Sequence, residues 1–182
     1  MSIVFEAFPK IARLKRECVI TEKIDGTNAQ IIITDDGDIA AASRSRLITP
    51  SDDNFGFAAW VERNREDLLQ LGPGRHFGEW WGAGIQRKYG QPEKKFSLFN
   101  VRRFGGQELP ECVGLVPVLY DGIWSDKAVE DALQNLRVNG SVAAPGFMQP
   151  EGVVVFHKAS NAIFKVTIEK DEEPKGLREA GR

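Results

Sequence analysis

The sequence predicts an α+β fold in which antiparallel β-sheets are flanked by a small number of helices. Seven short segments alternate apolar and polar residues and are rich in β-branched and aromatic side chains, which is typical of strands. Two segments have helical periodicity, and they do not alternate with the strands as they would in a βαβ fold. The 182 residues, 42% hydrophobic and 27% charged, suffice for one globular domain spanning residues 1–182.

The early part of the chain contains the signal for a β-hairpin. Asp35-Asp36-Gly37-Asp38 lies between two apolar runs and has the composition of a tight turn. An antiparallel start to the topology is therefore predicted. The predicted strands are Val19–Ile24, Ala29–Thr34, His76–Trp81, Phe96–Val101, Val116–Tyr120, Gly152–Phe156 and Ile163–Ile168.

Helical periodicity is clearest in the segment Phe55–Leu71, which Gly72-Pro73-Gly74 then ends. A second helix is predicted over Asp126–Leu136, where Ser125 can cap the first turn. The residues that can share the apolar face of the first helix are Phe57, Trp60, Val61, Leu68 and Leu71.

The composition excludes several classes of protein. Two cysteines, Cys18 and Cys112, have no metal-ligand spacing and are too few for a disulfide framework, which favours a reducing compartment. The two histidines, His76 and His157, show no metal-ligand pattern and are expected to be structural. The chain has no signal peptide and no apolar run of about 18 residues, so a soluble cytoplasmic protein is expected.

The charge is unevenly distributed. A net charge of −2 argues mildly against a protein that binds nucleic acid over its whole surface. The segment from Ala83 to Phe104 nevertheless has six basic residues against one acid, Glu93, and it is either a solvated face or a binding patch. The basic residues are Arg87, Lys88, Lys94, Lys95, Arg102 and Arg103.

The most informative segment is Glu22-Lys23-Ile24-Asp25-Gly26-Thr27-Asn28. On an extended chain Lys23 and Asp25 project to one side, and Gly26 permits a sharp turn beside a bound phosphate. A lysine amine that burial and nearby cations keep neutral can attack phosphorus. A strand running into an Asp-Gly turn without any catalytic role is the alternative interpretation.

Lys23-x-Asp25-Gly26 resembles the first motif of the covalent nucleotidyltransferases, the superfamily of DNA ligases, RNA ligases and mRNA capping enzymes. The longer segment is similar to the nick-sealing family of phage RNA ligases, and the resemblance continues through nearly the whole chain. It implies a nucleotidyltransferase (ATP-grasp-like) adenylation domain that uses ATP with Mg²⁺ or Mn²⁺ and carries AMP on Lys23. It also implies that Glu22 and Asn28 belong to the nucleotide pocket, with backbone groups near Glu22 selecting adenine.

Ser43–Pro50 resembles the arginine-bearing segment of the family, and Arg44 falls on the motif arginine. A guanidinium presents a fork of donors to oxygen atoms, so Arg44 could hold the ribose or a 5′-phosphate. Arg46 lies two residues further on and is expected to share its face. Without the resemblance, exposed strand arginines would be an equally good interpretation.

Two further segments resemble motifs of the nucleotide pocket. Gly78–Gly90 resembles the Gly-Glu…Gly-x-Gly-Ile-Gln segment, which implies that Glu79 accepts hydrogen bonds from the ribose hydroxyls. Phe96–Val101 resembles the next motif, which implies that Phe99 stacks on adenine for about 1–3 kcal/mol. The neighbouring aromatic residues Phe96 and one of Trp80 and Trp81 are expected in the core.

Pro150–Val155 matches the Glu-Gly motif of the family, in which the proline makes the approach to Glu151 extended. The resemblance implies that Glu151 helps to organise a divalent cation. Magnesium is expected because it prefers oxygen ligands and bridges to substrate phosphates.

Phe164–Thr167 corresponds to the last motif, which in the family has two lysines separated by one residue. This sequence keeps Lys165 and has Thr167 at the second position. Lys165 is therefore the cation expected to stabilise the α-phosphate in the transition state. Lys158 or Lys170 could replace the missing lysine.

The family adds a C-terminal domain, whereas this sequence has only residues 168–182 after Thr167, so a minimal ligase is expected. Lys23 would take AMP from ATP, pass it to a 5′-phosphate, and release it when a 3′-hydroxyl attacks. Thr27-Asn28 and the Gly-x-Gly-Ile-Gln run favour RNA; the alternatives are a minimal DNA ligase, a GTP-using capping enzyme, or a catalytically silent module that binds RNA ends.

The expected partners are RNA or DNA ends or nicks, with no membrane and no obligate protein partner. The residues expected to contact nucleic acid are Arg44, Arg46, Arg87, Lys88, Lys94 and Lys95.

Overall fold

The structure, a computed structural model, describes residues 3–169. These residues form a six-stranded sheet in the order β4-β3-β2-β5-β6-β7 and a four-stranded sheet in the order β10-β9-β1-β8. In chain order the strands are β1 (Glu17–Lys23), β2 (Thr27–Ile33), β3 (Ile39–Ser43), β4 (Leu47–Ile48), β5 (Gly74–Gly82), β6 (Lys94–Leu98), β7 (Val113–Leu115), β8 (Val118–Ile123), β9 (Gly152–His157) and β10 (Ala162–Thr167). All pairs are antiparallel except β6–β7, which confirms the predicted α+β class.

The predicted hairpin is confirmed, because β2 and β3 pair across a turn that includes Gly37. The hairpin implied β3 but its bounds were not predicted, and the short strands β4 and β7 were not predicted at all. β3 has the sequence Ile-Ala-Ala-Ala-Ser, and alanine is a weak strand former, so its pairing with β2 and its contact with the first helix decide its structure.

Two of the predicted strands differ from the structure by two or more residues at both ends. The strand predicted over Phe96–Val101 ends at Leu98, because Asn100 accepts a hydrogen bond from the backbone of Arg103 and caps the short helix α3 (Val101–Phe104). The strand predicted over Val116–Tyr120 lies at Val118–Ile123, where pairing with β1 sets its register.

The helix predicted over Phe55–Leu71 is broken into shorter pieces. The helices α1 (Phe57–Arg63) and α2 (Arg65–Leu68) meet at Asn64, and a 3₁₀ turn (Leu69–Leu71) follows. The backbone of Asn64 leaves the helical region. Its side chain and its backbone N–H both donate to the Trp60 carbonyl, and this local bonding favours the break between α1 and α2.

The second predicted helix is confirmed as α4 (Asp126–Asn139), and Ser125 accepts the predicted capping hydrogen bond from the Ala128 N–H. It is amphipathic, and no helix within residues 3–169 is long and apolar enough to cross a bilayer.

Each sheet is covered on one face by a helix. On the six-stranded sheet the rings of Trp80 and Phe96 pack against Phe57 of α1 at centroid separations of 5.4 and 5.3 Å. On the four-stranded sheet Ile20 and Val153 belong to a core with one face of α4. Because side chains alternate along a strand, Glu79 and Lys23 lie on the opposite faces of their sheets from these cores. A smaller cluster, which includes Ile24, Trp81, Tyr89, Val116 and Ala144, joins the two halves.

Candidate active site

Lys23 and Glu151 meet through the pairing of β1 with β9. Lys23 is the last residue of β1 and lies opposite Gly152, so Glu151 immediately precedes the strand beside it. Lys23 Nζ lies 2.6 Å from Glu151 Oε2, and the two side chains are 22% and 16% exposed. The lysine is therefore accessible in part and is held by an anion, whereas the sequence led us to expect cations around it.

Two glycines allow the backbone to approach this ion pair closely. A side chain at Gly152, where φ is +153°, would overlap the Val166 carbonyl of β10. A side chain at Gly26 would overlap the Trp80 carbonyl of β5. Gly26 has no left-handed backbone, so its role is close packing against β5 and not the sharp turn that we predicted from the Asp-Gly pair.

Glu79 lies directly opposite Asn28 across the β2–β5 pair. Its carboxylate accepts hydrogen bonds from the Gly26 N–H and from Asn28 Nδ2, both at 3.0 Å. Only 7% of Glu79 is exposed, and this burial raises the pKa of its carboxyl to about 7 against the opposing effects of the Lys23 ammonium and the two hydrogen bonds. Glu79 and Asn28 are thus adjacent, as expected for members of one pocket.

The Glu22 side chain is engaged within the protein. It is buried and accepts hydrogen bonds from Ser141 Oγ and from the backbone N–H groups of Val142 and Ala143. Glu22 therefore ties the loop after α4 to the strand that carries Lys23. Sequence reasoning missed Ser141, because nothing in the local pattern relates it to a residue 119 positions away.

Phe99 follows β6 and is 41% exposed, whereas Phe96 is buried in the core as predicted. Ser97 pairs with Glu79, and the Phe99 N–H continues this ladder by donating to the Phe77 carbonyl at 2.9 Å. By the alternation of side chains, Phe99 lies on the Glu79 face of the sheet. Its ring is available to stack on a planar group.

Trp80 and Trp81 are both buried, on opposite faces of β5, so two core residues are present where one was expected. Trp80 belongs to the core beneath α1, and Trp81 belongs to the cluster between the two sheets. The Trp81 Nε1–H donates to Ser97 Oγ at 2.9 Å.

Lys165 is exposed on the edge strand β10. In the four-stranded sheet Lys165 is opposite Val154, and Thr167 is opposite Gly152, which is itself opposite Lys23. Thr167 is therefore aligned with Gly152 and Lys23 across the three strands. Lys165 lies two residues earlier in β10, and its side chain is on the same face of the sheet.

Of the two possible replacements for the missing lysine, Lys158 lies at the other end of β9 from Glu151, where it pairs with Glu17 and Asp121. This position places Lys158 away from Lys23. Lys170 lies outside the described residues.

Arg44 and Arg46 lie in the turn between β3 and β4, so the alternative interpretation of them as exposed strand arginines is wrong. The Ser43 N–H donates to the Arg46 carbonyl at 2.8 Å, which closes this turn. Arg46 forms a bidentate ion pair with Asp52, whereas Arg44 is exposed and has no side-chain partner within residues 3–169.

The basic stretch between Ala83 and Phe104 does not form one patch. Lys94 and Lys95 project to opposite faces of β6: the Lys94 ammonium donates to the Phe55 carbonyl at 2.7 Å, and that of Lys95 lies 5.7 Å from the centre of the Trp81 ring. Arg103 donates to the Leu71 carbonyl on the far side of the sheet. Lys88 is exposed.

Arg87, which we expected to contact nucleic acid, is directed at the turn after Lys23. Its Nε donates to Asp25 Oδ2 at 3.0 Å, and its Nη1 donates to the Gln149 carbonyl at 3.0 Å. Tyr89 also contacts this turn, because its hydroxyl accepts the Asp25 N–H at 2.9 Å, and burial raises the pKa of that hydroxyl well above its usual value. Tyr89 was missed as a site residue, and the only signal for it was its place in the Gly78–Gly90 segment.

The described residues contain no group of three or more His, Cys, Asp or Glu side chains that could bind a metal ion by themselves. Glu151 Oε2 contacts Lys23, and its other oxygen has no hydrogen bond within residues 3–169. Magnesium is commonly held by one or two carboxylates together with water and substrate phosphates, so this donor set fits a cation that arrives with a nucleotide.

The two sheets bring a lysine at the end of β1 together with two glutamates from other segments of the chain. The sequence matches the family model described as RNA ligase over residues 16–167, and the chain belongs to this RNA ligase family. No curated protein matches the sequence.

Solved structures with the same fold include RNA ligases. Naegleria gruberi RNA ligase, in a variant with ATP and Mn, has a TM-score of 0.58 and 19% identity over 85% of this chain and 50% of that chain. A second variant, with AMP and Mn, has a TM-score of 0.58 and 20% identity over 85% and 50%. An archaeal ATP-dependent RNA ligase has a TM-score of 0.59 and 16% identity over 90% and 48%. This chain therefore spans about half the length of these proteins, and at these identities the likeness shows the fold.

Proposed function

We propose that this chain is the adenylyl-transferring domain of an ATP-dependent RNA ligase, which joins 5′-phosphate and 3′-hydroxyl ends through a lysyl-AMP intermediate. The observation that carries the proposal is the contact between Lys23 Nζ and Glu151 Oε2 at 2.6 Å in a chain of the RNA ligase family. Family membership accounts for the lysine motif, and the contact joins it to the Glu-Gly motif 128 residues away.

The first step forms a bond between Lys23 Nζ and the α-phosphorus of ATP while the bond to the departing pyrophosphate breaks. The amine must lose a proton to attack, and the Glu151 carboxylate is within hydrogen-bond reach to accept it. A divalent cation bound to the ATP phosphates and to Glu151 would neutralise the charge that develops on pyrophosphate.

The nucleotide would lie against the face that carries Glu79 and Phe99. Glu79 supplies two acceptor oxygens for the ribose hydroxyls once its hydrogen bonds to Gly26 and Asn28 are exchanged. The exposed ring of Phe99 supports adenine by stacking. Lys165 supplies positive charge on the same face of the four-stranded sheet as Lys23.

In the second step the 5′-phosphate oxygen attacks the same phosphorus and the bond to Lys23 breaks. In the third, a 3′-hydroxyl attacks the activated 5′ end and AMP leaves. Three exposed cations have no ion-pair partner in residues 3–169: Arg44, Lys88 and Lys95. We propose that these side chains contact the phosphates of the RNA backbone. Arg46 and Lys94 are already engaged, by Asp52 and by the Phe55 carbonyl respectively.

The free thiols of Cys18 and Cys112 fit a cytoplasmic location.

The proposal is tested by incubating the protein with ATP labelled on the α-phosphate and with a divalent cation. A label that survives a denaturing gel is expected for the wild type and for Lys127→Ala, which removes an ion-paired lysine on α4. No label is expected for Lys23→Ala, because the attacking nitrogen is absent.

Addition of a 5′-phosphorylated RNA should then release the label and produce a joined strand. A label in Lys23→Ala equal to that of the wild type would contradict the assignment of the nucleophile. Label from GTP alone would indicate a capping enzyme, joining of DNA in preference to RNA would indicate a DNA ligase, and binding of RNA ends without any label would indicate a silent module.

A further inference from the structure

Residues 83–91 form most of the connection between β5 and β6 and pass beside the turn that follows Lys23. Gln86, Lys88 and Tyr89 have positive φ angles of 41°, 62° and 49°. Residues other than glycine adopt this left-handed conformation only where surrounding contacts hold it. Backbone hydrogen bonds within the segment hold it locally, among them that from the Gln91 N–H to the Lys88 carbonyl. Arg87 and Tyr89 in addition fasten it to Asp25. The segment is thus shaped to direct two side chains at one residue.

Arg87 connects the two chain segments that carry the reacting pair. One of its acceptors, Asp25, is two residues after Lys23, and the other, the carbonyl of Gln149, is two residues before Glu151. A guanidinium is planar and its donors point in fixed directions, so it can join two separate acceptors in one geometry. A lysine ammonium at this position could hold one acceptor but could not bridge both in the same way.

Tyr89 connects the same two segments by a second route. Its hydroxyl accepts the Asp25 N–H at 2.9 Å, and its buried ring lies 4.5 Å from the ring of Phe147, in the loop that leads to Gln149. The turn after Lys23 and the loop before Glu151 are therefore held to each other through residues 83–91, in addition to the contact between Lys23 and Glu151 themselves.

We propose that Arg87 is a positioning residue for transfer of AMP to Lys23: it keeps Lys23 and Glu151 aligned by bridging Asp25 and Gln149, and Tyr89 supports the same alignment. The inference rests on the proposed function, since the rate that it concerns is that of lysyl-AMP formation. It also assigns Arg87 to the interior of the site and away from the RNA backbone. A misplacement of about 1 Å in a reacting group can cost about 100-fold in rate, so loss of the alignment should lower the rate of lysyl-AMP formation measurably.

The main test compares Arg87→Ala, Arg87→Lys and Tyr89→Phe with Arg137→Ala. Arg137 is a matched control because it also forms an ion pair with a carboxylate, that of Glu130, and its side chain is 37% exposed against 31% for Arg87. The rate of lysyl-AMP formation in a single turnover is measured over a range of ATP concentrations.

We expect Arg87→Ala to lower the maximal rate by about 10- to 100-fold while the half-saturating ATP concentration changes by less than about threefold. Arg87→Lys should be nearly as slow, because it keeps the charge and loses the bridge. Tyr89→Phe, which keeps the ring and loses the acceptor, should lose about three- to tenfold. Arg137→Ala should behave as the wild type.

Two further measurements separate positioning from a general loss of structure. Millimolar guanidinium should restore part of the rate of Arg87→Ala and none of the rate of Lys23→Ala. The double variant Arg87→Ala with Asp25→Asn should be no slower than the slower single variant, because both changes remove the same bridge. A rate for Arg87→Ala equal to that of Arg137→Ala would overturn the inference, as would normal lysyl-AMP formation accompanied by a weaker salt dependence of RNA binding.

Amide hydrogen exchange tests the bridge without relying on activity. In Arg87→Ala the peptides covering residues 22–28 and 147–152 should both exchange faster, by about tenfold, whereas peptides of α4 should not change. Unchanged exchange in both peptides overturns the inference whatever the rate. A wild-type protein that forms no lysyl-AMP would contradict the proposed function alone, and faster exchange of both peptides would still support the bridge.

Discussion

Glu79 shows at the scale of a single residue how burial changes the chemistry of a side chain. Its carboxylate is 7% exposed, and its two hydrogen bonds come from neighbours on the strand opposite and in the turn after Lys23. Burial raises its pKa to about 7 because a charge is more costly away from water. The same burial fixes both carboxylate oxygens in hydrogen bonds to the Gly26 N–H and to Asn28 Nδ2.

This pKa predicts a dependence of stability on pH. Between pH 4.5 and 7 folded Glu79 retains a proton that it has released in the unfolded chain. Its contribution to the free energy of unfolding is therefore complete below pH 4.5 and is lost as the pH rises to about 7. The loss is on the order of 3 kcal/mol, and Glu79→Gln should remove it.

The measurement is urea unfolding of the wild type and Glu79→Gln at pH 4.5, 5.5, 6.5 and 7.5. The free energy of unfolding of the wild type, relative to that of Glu79→Gln, should fall steadily as the pH rises across this range. A flat difference for Glu79→Gln would show that its carboxyl titrates normally in the folded protein.

At the scale of elements, the edge of the four-stranded sheet determines where positive charge can reach Lys23, the nucleophile that we propose. Gly152 lies between Lys23 and Thr167 in one row across the three strands, and the absence of a side chain at Gly152 lets β10 approach. The Thr167 hydroxyl donates to the Glu169 carbonyl at 3.0 Å. The position at which the family has its second lysine is thus in the row of Lys23.

This register predicts opposite outcomes for two substitutions in β10. Lys165→Ala should lower the rate of lysyl-AMP formation by about 100-fold, because a cation on the Lys23 face is lost. Thr167→Lys should be tolerated or faster than the wild type, because it adds a cation in the same row as the nucleophile. Both rates are measured in a single turnover with labelled ATP, and Lys127→Ala serves as a control for the loss of an unrelated surface lysine. Full activity in Lys165→Ala together with loss of activity in Thr167→Lys would show that the last motif is assigned in the wrong register.

At the scale of the whole molecule, the cations that the sequence concentrates between Arg87 and Arg103 are distributed over several surfaces. Lys95 lies on the Trp81 side of β6, Lys94 is bonded to the Phe55 carbonyl on the α1 side, and Arg103 is bonded to Leu71. Arg44 and Lys95, which we propose to contact RNA, are exposed residues from separate segments of the chain. A net charge of −2 is compatible with this local arrangement.

The neighbouring lysines 94 and 95 offer a direct test of this distribution. Lys95→Ala should lower the slope of log affinity for RNA against log salt by roughly one, since one phosphate contact and its counterion are lost. Lys94→Ala should change the slope less, because its ammonium is directed away from the site. Affinity is measured on a 5′-phosphorylated RNA over a salt series, with lysyl-AMP formation as a second readout that both variants should retain. Equal changes in slope for the two variants would mean that RNA reaches both faces of β6.

The sequence by itself was sufficient for the class of fold, for most of the strands, for α4 with its Ser125 cap, and for membership of the RNA ligase family. These features depend on local information. A strand or a helix is set by the periodicity of neighbouring residues, and a motif such as Lys-x-Asp-Gly is read within a few positions. Phe96 lies in the core as predicted, whereas the stacking role of Phe99 was implied by the resemblance to the family motif and stays a prediction.

The tertiary structure alone decided which distant groups meet. The contacts of Arg87 with Asp25 and Gln149, and of Glu22 with Ser141, join residues 62 and 119 positions apart, and no periodicity relates such residues. It also decided that the helix after Phe55 breaks at Asn64 and that the basic stretch is divided between faces. The physical reason is that strand pairing and side-chain alternation set the direction of every side chain in space, whereas the order of residues along the chain sets only their local spacing.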